Sequence, residues 1–184
     1  MSKVSASYLS ILVVLLSFLG TPMPGNGTTS AAEKDFSRKN INIGMIVSDL
    51  PKSLHFYKEV VGLVQVDRTE FDVDADFGKR SGLTDSLAFH VEVLKLGAGE
   101  NSTSLKLMTF GKQAKKQENQ FIHSHTGIQY LTIYVTALDP ILARIKQHQV
   151  KLLGKTPIPL GEKASFVLIQ DPDGTFVELI GPMN

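Results

Sequence analysis

The stretch 171-DPDGTFVEL-179 puts one carboxylate, Glu178, between Val177 and Leu179. Asp171 to Gly174 reads as a tight turn and the residues after it as a strand. A carboxylate in that place can be solvated, ligate a metal, act as a base, or be the relic of one of these roles. Lys106 holds the corresponding place in 103-TSLKLMTF-110, between Leu105 and Leu107. Two further groups have ligand chemistry. His90 and Glu92 stand two residues apart in 86-SLAFHVEVLKL-96, so they share one face of a strand. His123 and His125 form a His-x-His in 121-FIHSHTG-127. Against a metal role stand plainer readings: a hydrogen-bonded sheet histidine at His90, solvated linker histidines at 123 and 125, and an outer-helix histidine at His55. With no cysteine in the chain, thiolate chemistry, thiolate metal sites and disulfides are excluded.

These residues have to be positioned by a repeat. The segment 42-NIGMIVSDLPKSLHFYKEVVGLV-64 aligns with 130-YLTIYVTALDPILARIKQHQVKL-152, 88 residues on (Asn42 to Tyr130). Val47 meets Val135, Leu50 meets Leu138 and Leu54 meets Leu142. Each segment reads as strand, cap, helix, strand. In the first helix Ser48 or Asp49 caps, Pro51 sits in the first turn, Leu50, Leu54, Tyr57 and Val61 form the apolar face, and Gly62 ends it. In the second, Thr136 caps and Leu138, Leu142 and Ile145 form the face. Strands follow at 63–70, 86–96 and 103–110, and then at 150–153, 165–170 and 175–181. The charged, turn-rich stretch 71–86 reads as a loop, in which Lys79 and Arg80 read as a solvated pair before they read as partners of an anionic ligand at the cup mouth. The expected fold is α+β: two βαβββ modules, 41–110 and 128–183, joined by a linker at 111–127. They form one curved mixed sheet around a cavity, with the helices outside.

Period-two alternation assigns the faces. Ile43, Met45, Val47, Leu105, Leu107, Leu131, Ile133, Val135, Val177 and Leu179 pack under the helices. Asn42, Gly44, Lys106, Tyr130, Thr132, Tyr134, Phe176 and Glu178 point into the cup and are the candidate ligand-binding residues. Lys106 and Glu178 come from equivalent strands, so they are expected to face each other as a buried pair.

The chain has 184 residues, net charge +1 and 8% aromatics, which gives no footprint for nucleic acid. Lys3, the apolar run 8-YLSILVVLLSFLG-20 and the small residues of 28-TTSAA-32 have the layout of a secretory signal over residues 1–32. A flexible stretch, 33–40, follows it. The expected location is therefore secreted or periplasmic, and membrane attachment would come only from an uncleaved signal.

The paired βαβββ modules, the phrase 47-VSDLPKSLHFYKEVVGL-63 and the ending 171-DPDGTFVEL-179 resemble the vicinal oxygen chelate superfamily. That group contains glyoxalase I, bleomycin-resistance proteins, extradiol dioxygenases and methylmalonyl-CoA epimerase. The resemblance covers about residues 40 to 183. It implies metal ligands at the positions of Asn42, Lys106, Tyr130 and Glu178, of which Glu178 alone is a usual ligand type. A charged lysine has no lone pair to give. The resemblance therefore implies a domain that binds a small amphipathic molecule without the usual Zn, Fe, Ni or Mn, as bleomycin-resistance proteins bind ligands. The alternative it implies is a lyase-, isomerase- or epimerase-like proton transfer next to a carbonyl. There Glu178 would be the base, Lys106 the oxyanion stabiliser and Tyr130 the proton donor; a dioxygenase-like activity would require a metal. A homodimer is a further expectation, since relatives pair modules within or across chains.

Overall fold

The helix that follows the first strand starts where a side chain can replace a missing hydrogen bond. Asp49 accepts from the Lys52 N–H at 3.1 Å, with Pro51 in the first turn, where its lack of an N–H costs nothing. In the computed structural model, which describes residues 35–111, 114–116 and 118–183, this helix, α1, spans Leu50–His55 and runs on as a π-helical turn over Phe56–Val61. Gly62 ends it at φ +100°, the left-handed conformation that glycine adopts without strain. A Cβ there would also lie 3.0 Å from an Arg144 guanidinium nitrogen. Gly62→Ala should therefore cost about 1–2 kcal/mol, read as a lower urea midpoint with unchanged m.

The first module contributes β1 (Asn42–Ile46), α1, β2 (Val64–Val73), α2 (Ala75–Arg80), β3 (Phe89–Lys95) and β4 (Ser104–Phe110). The second contributes β5 (Tyr130–Tyr134), α3 (Asp139–Gln147), β6 (Ile158–Leu160), β7 (Ala164–Gln170) and β8 (Phe176–Gly181). The βαβββ order thus occurs twice, with α2 added in the first module. The strands hydrogen-bond as two four-stranded mixed sheets, β1-β4-β3-β2 and β5-β8-β7-β6, and only the β1–β4 and β5–β8 pairs are parallel. The α+β class stands as read from the sequence. What the pattern did not resolve is that each module keeps its own sheet.

The alternation of faces holds. Leu105, Leu107, Val177 and Leu179 are buried in one cluster with Tyr57, Val60, Leu138 and Ile145, and Ile43, Met45, Leu131 and Ile133 pack against it. One core thus joins the helix-bearing faces of both modules. Arg144 of α3 fastens the seam by donating to the Val60 and Val61 carbonyls at 2.9 and 3.1 Å. Tyr57 fastens it again, its buried hydroxyl donating to Asp171 at 2.8 Å. Ser48 adds a backbone N–H to Asp173 at 3.0 Å and a short hydroxyl contact to the same carboxylate.

Three local expectations need correction. Thr136 does not cap α3. That helix begins at Asp139, and Leu138, fully buried at its start, satisfies its N–H on the Pro182 carbonyl at 2.9 Å. The strand expected at 150–153 is irregular, with Val150 and Leu152 packed on the core, and β6 lies at Ile158–Leu160. The segment 71–86, expected as a turn-rich loop, contains the end of β2 and α2, whose start Asp74 caps through the Phe77 N–H at 2.7 Å. Arg80, a candidate for meeting an anionic ligand, pairs with Asp76 at 3.4 Å on the surface of α2. The signal-like segment 1–32 lies outside the described residues. Among those described, no helix is long and apolar enough to cross a membrane.

Candidate functional site

Since the helix-bearing faces meet in one core, the opposite face of each sheet is turned away from it. On the first sheet the register sets Gly44 beside Lys106, Lys106 beside Val93, and Met108 beside Val91. This face carries Asn42, Gly44, Ile46, Phe71, Phe89, Val91, Val93, Lys106, Met108 and Phe110. Phe89, Val91 and Val93 are buried there in a second apolar cluster with Val73, Met108 and Phe110. Among the described residues, Lys106 and, at the end of β3, Lys95 are the charged side chains of this face, and the Lys106 ammonium stands 6.0 Å from the centre of the Phe71 ring, within cation–π range. Gly44 leaves room for Met108: a Cβ would lie 3.1 Å from the Met108 Cε. A groove between Ile46 and Phe110 on one side and Leu83 to Leu87 on the other borders this face.

On the second sheet Tyr130 lies beside Phe176, Thr132 beside Glu178 and Tyr134 beside Ile180, with Leu168 flanking Glu178 from β7. The Thr132 hydroxyl donates to Glu178 at 2.5 Å. Tyr134 is 77% exposed and Tyr130 45%, so two large aromatic faces are open to solvent, while Phe176 is buried. Tyr130 and Thr132 also line a crevice of about 300 Å³ whose walls are mostly apolar, among them Ile43, Leu105, Leu131 and Ile133.

The eight cup residues therefore share faces as expected, but they divide between two sheets. Asn42, Gly44 and Lys106 lie on one; Tyr130, Thr132, Tyr134, Phe176 and Glu178 lie on the other. The expected Lys106–Glu178 pair does not form within the chain: Lys106 reaches Phe71 and Glu178 reaches Thr132. Alternation reports which face a side chain takes, not which faces meet.

The four positions at which the superfamily's enzymes hold a metal do not fit one here. Lys106 has no lone pair to give while charged, and of Asn42, Tyr130 and Glu178 only Glu178 is a usual ligand type. Ligand chemistry does converge elsewhere. Glu70, His90 and Glu92 bring their ligating atoms within 4.8 Å of one another on the other side of the first sheet. The sequence paired His90 with Glu92, but Glu70 reaches them through register. His123 stacks on Phe121, and His125 meets the Glu118 carbonyl at 3.2 Å. His55 faces His148 at 3.0 Å between ring nitrogens.

A chain built this way belongs to the Glyoxalase/Bleomycin resistance protein/Dioxygenase superfamily, whose family model matches residues 41–179. Among solved structures it is similar to a glyoxalase family protein from Bacillus cereus, at 16% identity and TM-score 0.63, covering 81% of this chain and 96% of that one. It is also similar to the trypanothione-dependent glyoxalase I of Leishmania major, at 23% identity and TM-score 0.53, covering 79% and 87%. Glyoxalase I of Zea mays matches at 20% identity and TM-score 0.55, with 78% of this chain on 44% of that one. At these identities the likeness is one of fold. No curated protein matches the chain.

Proposed function

We propose that this is an exported small-molecule-binding domain whose cup is built between two copies of the chain and takes an amphipathic ligand without a metal at the superfamily's positions. The observation that carries the reading is the pair of outward faces. Each is largely apolar, and the equivalent strands β4 and β8 give them opposite charges, Lys106 on one and Glu178 on the other. A two-fold dimer that sets the first module of one copy against the second module of the other covers both faces and brings Lys106 opposite Glu178 twice. The closed space has apolar walls from Phe71 and Met108. Its polar points are Lys106, Glu178, Thr132 and Tyr130, with Asn42 and Tyr134 toward the rim. That combination holds an apolar body and fixes one polar head.

The test is a thermal-shift screen of small amphipathic compounds on the purified chain, with hits recovered and weighed by mass spectrometry. Binders should return unchanged, and their stabilisation should fall in Glu178→Gln. Conversion of a hit that disappears in Glu178→Gln would replace the binding reading with the proton-transfer one.

A further inference from the structure

The face of the first sheet opposite the cup carries a separate group of ligating side chains. β2 and β3 are antiparallel, and their register sets Glu70 directly opposite Glu92 and Asp72 directly opposite His90. The register shifts between Gln65 and Glu70, and across that irregularity both residues come to flank Glu92. The side-chain amide of Gln65 donates to Glu92 Oε2 at 2.7 Å, and Lys58 is held away on the Gln65 carbonyl oxygen at 3.0 Å. Glu92 is 8% exposed, and among the described residues no lysine or arginine pairs with it. A buried carboxylate is costly unless a cation faces it, and the His90 ring is the one basic side chain that faces Glu92 among the described residues.

His90 completes the arrangement. Its Nδ1 lies 2.8 Å from Asp72 Oδ1, a hydrogen bond that leaves the Nε2 lone pair free in the neutral ring. Nε2 then lies 3.5 Å from Glu92 Oε1, longer than a good hydrogen bond. Two ligands at bonds of about 2.1 Å on a tetrahedral cation stand about 3.4 Å apart. A carboxylate orienting the far nitrogen of a histidine is the usual support of a ligating imidazole. Glu70 is exposed at the mouth, beside a groove of about 540 Å³ that also touches Gln65 and Thr69. Access from solvent is therefore open.

We propose that Glu70, His90 and Glu92 bind one divalent first-row transition cation of the zinc type, with Asp72 orienting His90 and Gln65 orienting Glu92. Two carboxylates and a neutral imidazole balance the charge of a 2+ ion and supply the mixed O and N donors such ions take. All the ligands come from one sheet of one chain, so the site is independent of the dimer and of the cup.

The full chain, stripped with a chelator and dialysed against Co²⁺, is expected to take up one cobalt with visible absorption bands that Zn²⁺ abolishes. Zn²⁺ should raise Tm as well. Glu70→Gln, at an exposed position, and His90→Gln should each weaken uptake by at least about 100-fold, and Asp72→Asn by about 10- to 100-fold. Glu178→Gln and the double variant His123→Gln/His125→Gln should leave it unchanged. Uptake well below one cobalt per chain overturns the proposal, as does uptake that survives Glu70→Gln or disappears in Glu178→Gln. The melting transition of each variant shows whether a loss reflects the site or the fold, and Glu70→Gln decides if His90→Gln does not fold.

Discussion

Replacing Asp171 by alanine should cost the domain about 3 kcal/mol or more, seen as a fall in the urea midpoint. This carboxylate is 5% exposed and accepts three hydrogen bonds: from the Tyr57 hydroxyl at 2.8 Å, the Asp173 N–H at 2.9 Å and the Thr175 N–H at 2.8 Å. Alanine strands all three donors: the buried Tyr57 hydroxyl costs about 1–3 kcal/mol, and the two half-buried N–H groups add less each. Against a typical total of about 5–15 kcal/mol, that is a large share. Asparagine keeps an acceptor oxygen and should cost less. Acid titration then separates charge from shape. Burial raises the Asp171 carboxyl above its ordinary value of 3.8, although its hydrogen bonds pull the other way. A group with a raised folded value contributes stability that is complete below the unfolded value and is lost as pH rises through the folded one. The advantage of wild type over Asp171→Asn should therefore be largest in acid and shrink as pH rises. A gap that widens with pH would mean that the hydrogen bonds outweigh burial. Tyr57 shows the same environment from the other side: burial, followed by the Asp171 charge, pushes its phenol well above its ordinary value of 10.0, so it stays a donor throughout.

Lys106→Glu should abolish self-association by at least about 100-fold in dissociation constant, measured by analytical ultracentrifugation. The substitution sets a second carboxylate against Glu178 of the other copy, twice per dimer, in a closing apolar space where like charges cost several kcal/mol. The double variant Lys106→Glu/Glu178→Lys restores opposite signs and should recover the dimer. Compounds that stabilise wild type should stabilise the double variant in part and the single variant not at all. A wild-type chain that stays monomeric at high concentration would sink the composite cup. So would Lys106→Glu and its double variant associating alike, because no complementary contact would then exist.

The alternation of strands was legible because it is local. Ile43, Met45, Leu105, Leu107, Val177 and Leu179 lie under the helices, where their spacing put them. The start of α1 was legible for the same reason, since Asp49 and Pro51 act within one turn. What depends on distant partners was not. α3 starts at Asp139 because Leu138 is anchored by the Pro182 carbonyl, 44 residues on, and no pattern near Thr136 signals that. Val150 and Leu152 alternate like a strand yet fill the core without joining a ladder. The cup residues were assigned to the right faces, but the sequence does not say that the two helix sides pack together. Glu70 escaped notice because a register shift inside β2, invisible in one strand alone, aligns it with Glu92. The start of α2 had a readable signal in Asp74, three residues before the Phe77 N–H it caps.

The Tyr57–Asp171 bond also limits which modules can associate. In the sequence repeat Tyr57 corresponds to Ile145, and Asp171, the first residue after β7, corresponds to Leu96, the first after β3: each closes its hairpin with the same backbone bond, Asp171 N–H to the Thr175 carbonyl and Leu96 N–H to the Thr103 carbonyl. Neither counterpart can form this bond. The polar lock therefore exists on one side of the pseudo-symmetric seam. Two first modules joined by their helix sides would set Tyr57 against a leucine, and two second modules would bury Asp171 without its phenol. A pairing of two identical halves would carry no such lock and would be free to assemble like with like. In this chain that freedom is gone, and the order of the halves is written into one buried hydroxyl and one buried carboxylate.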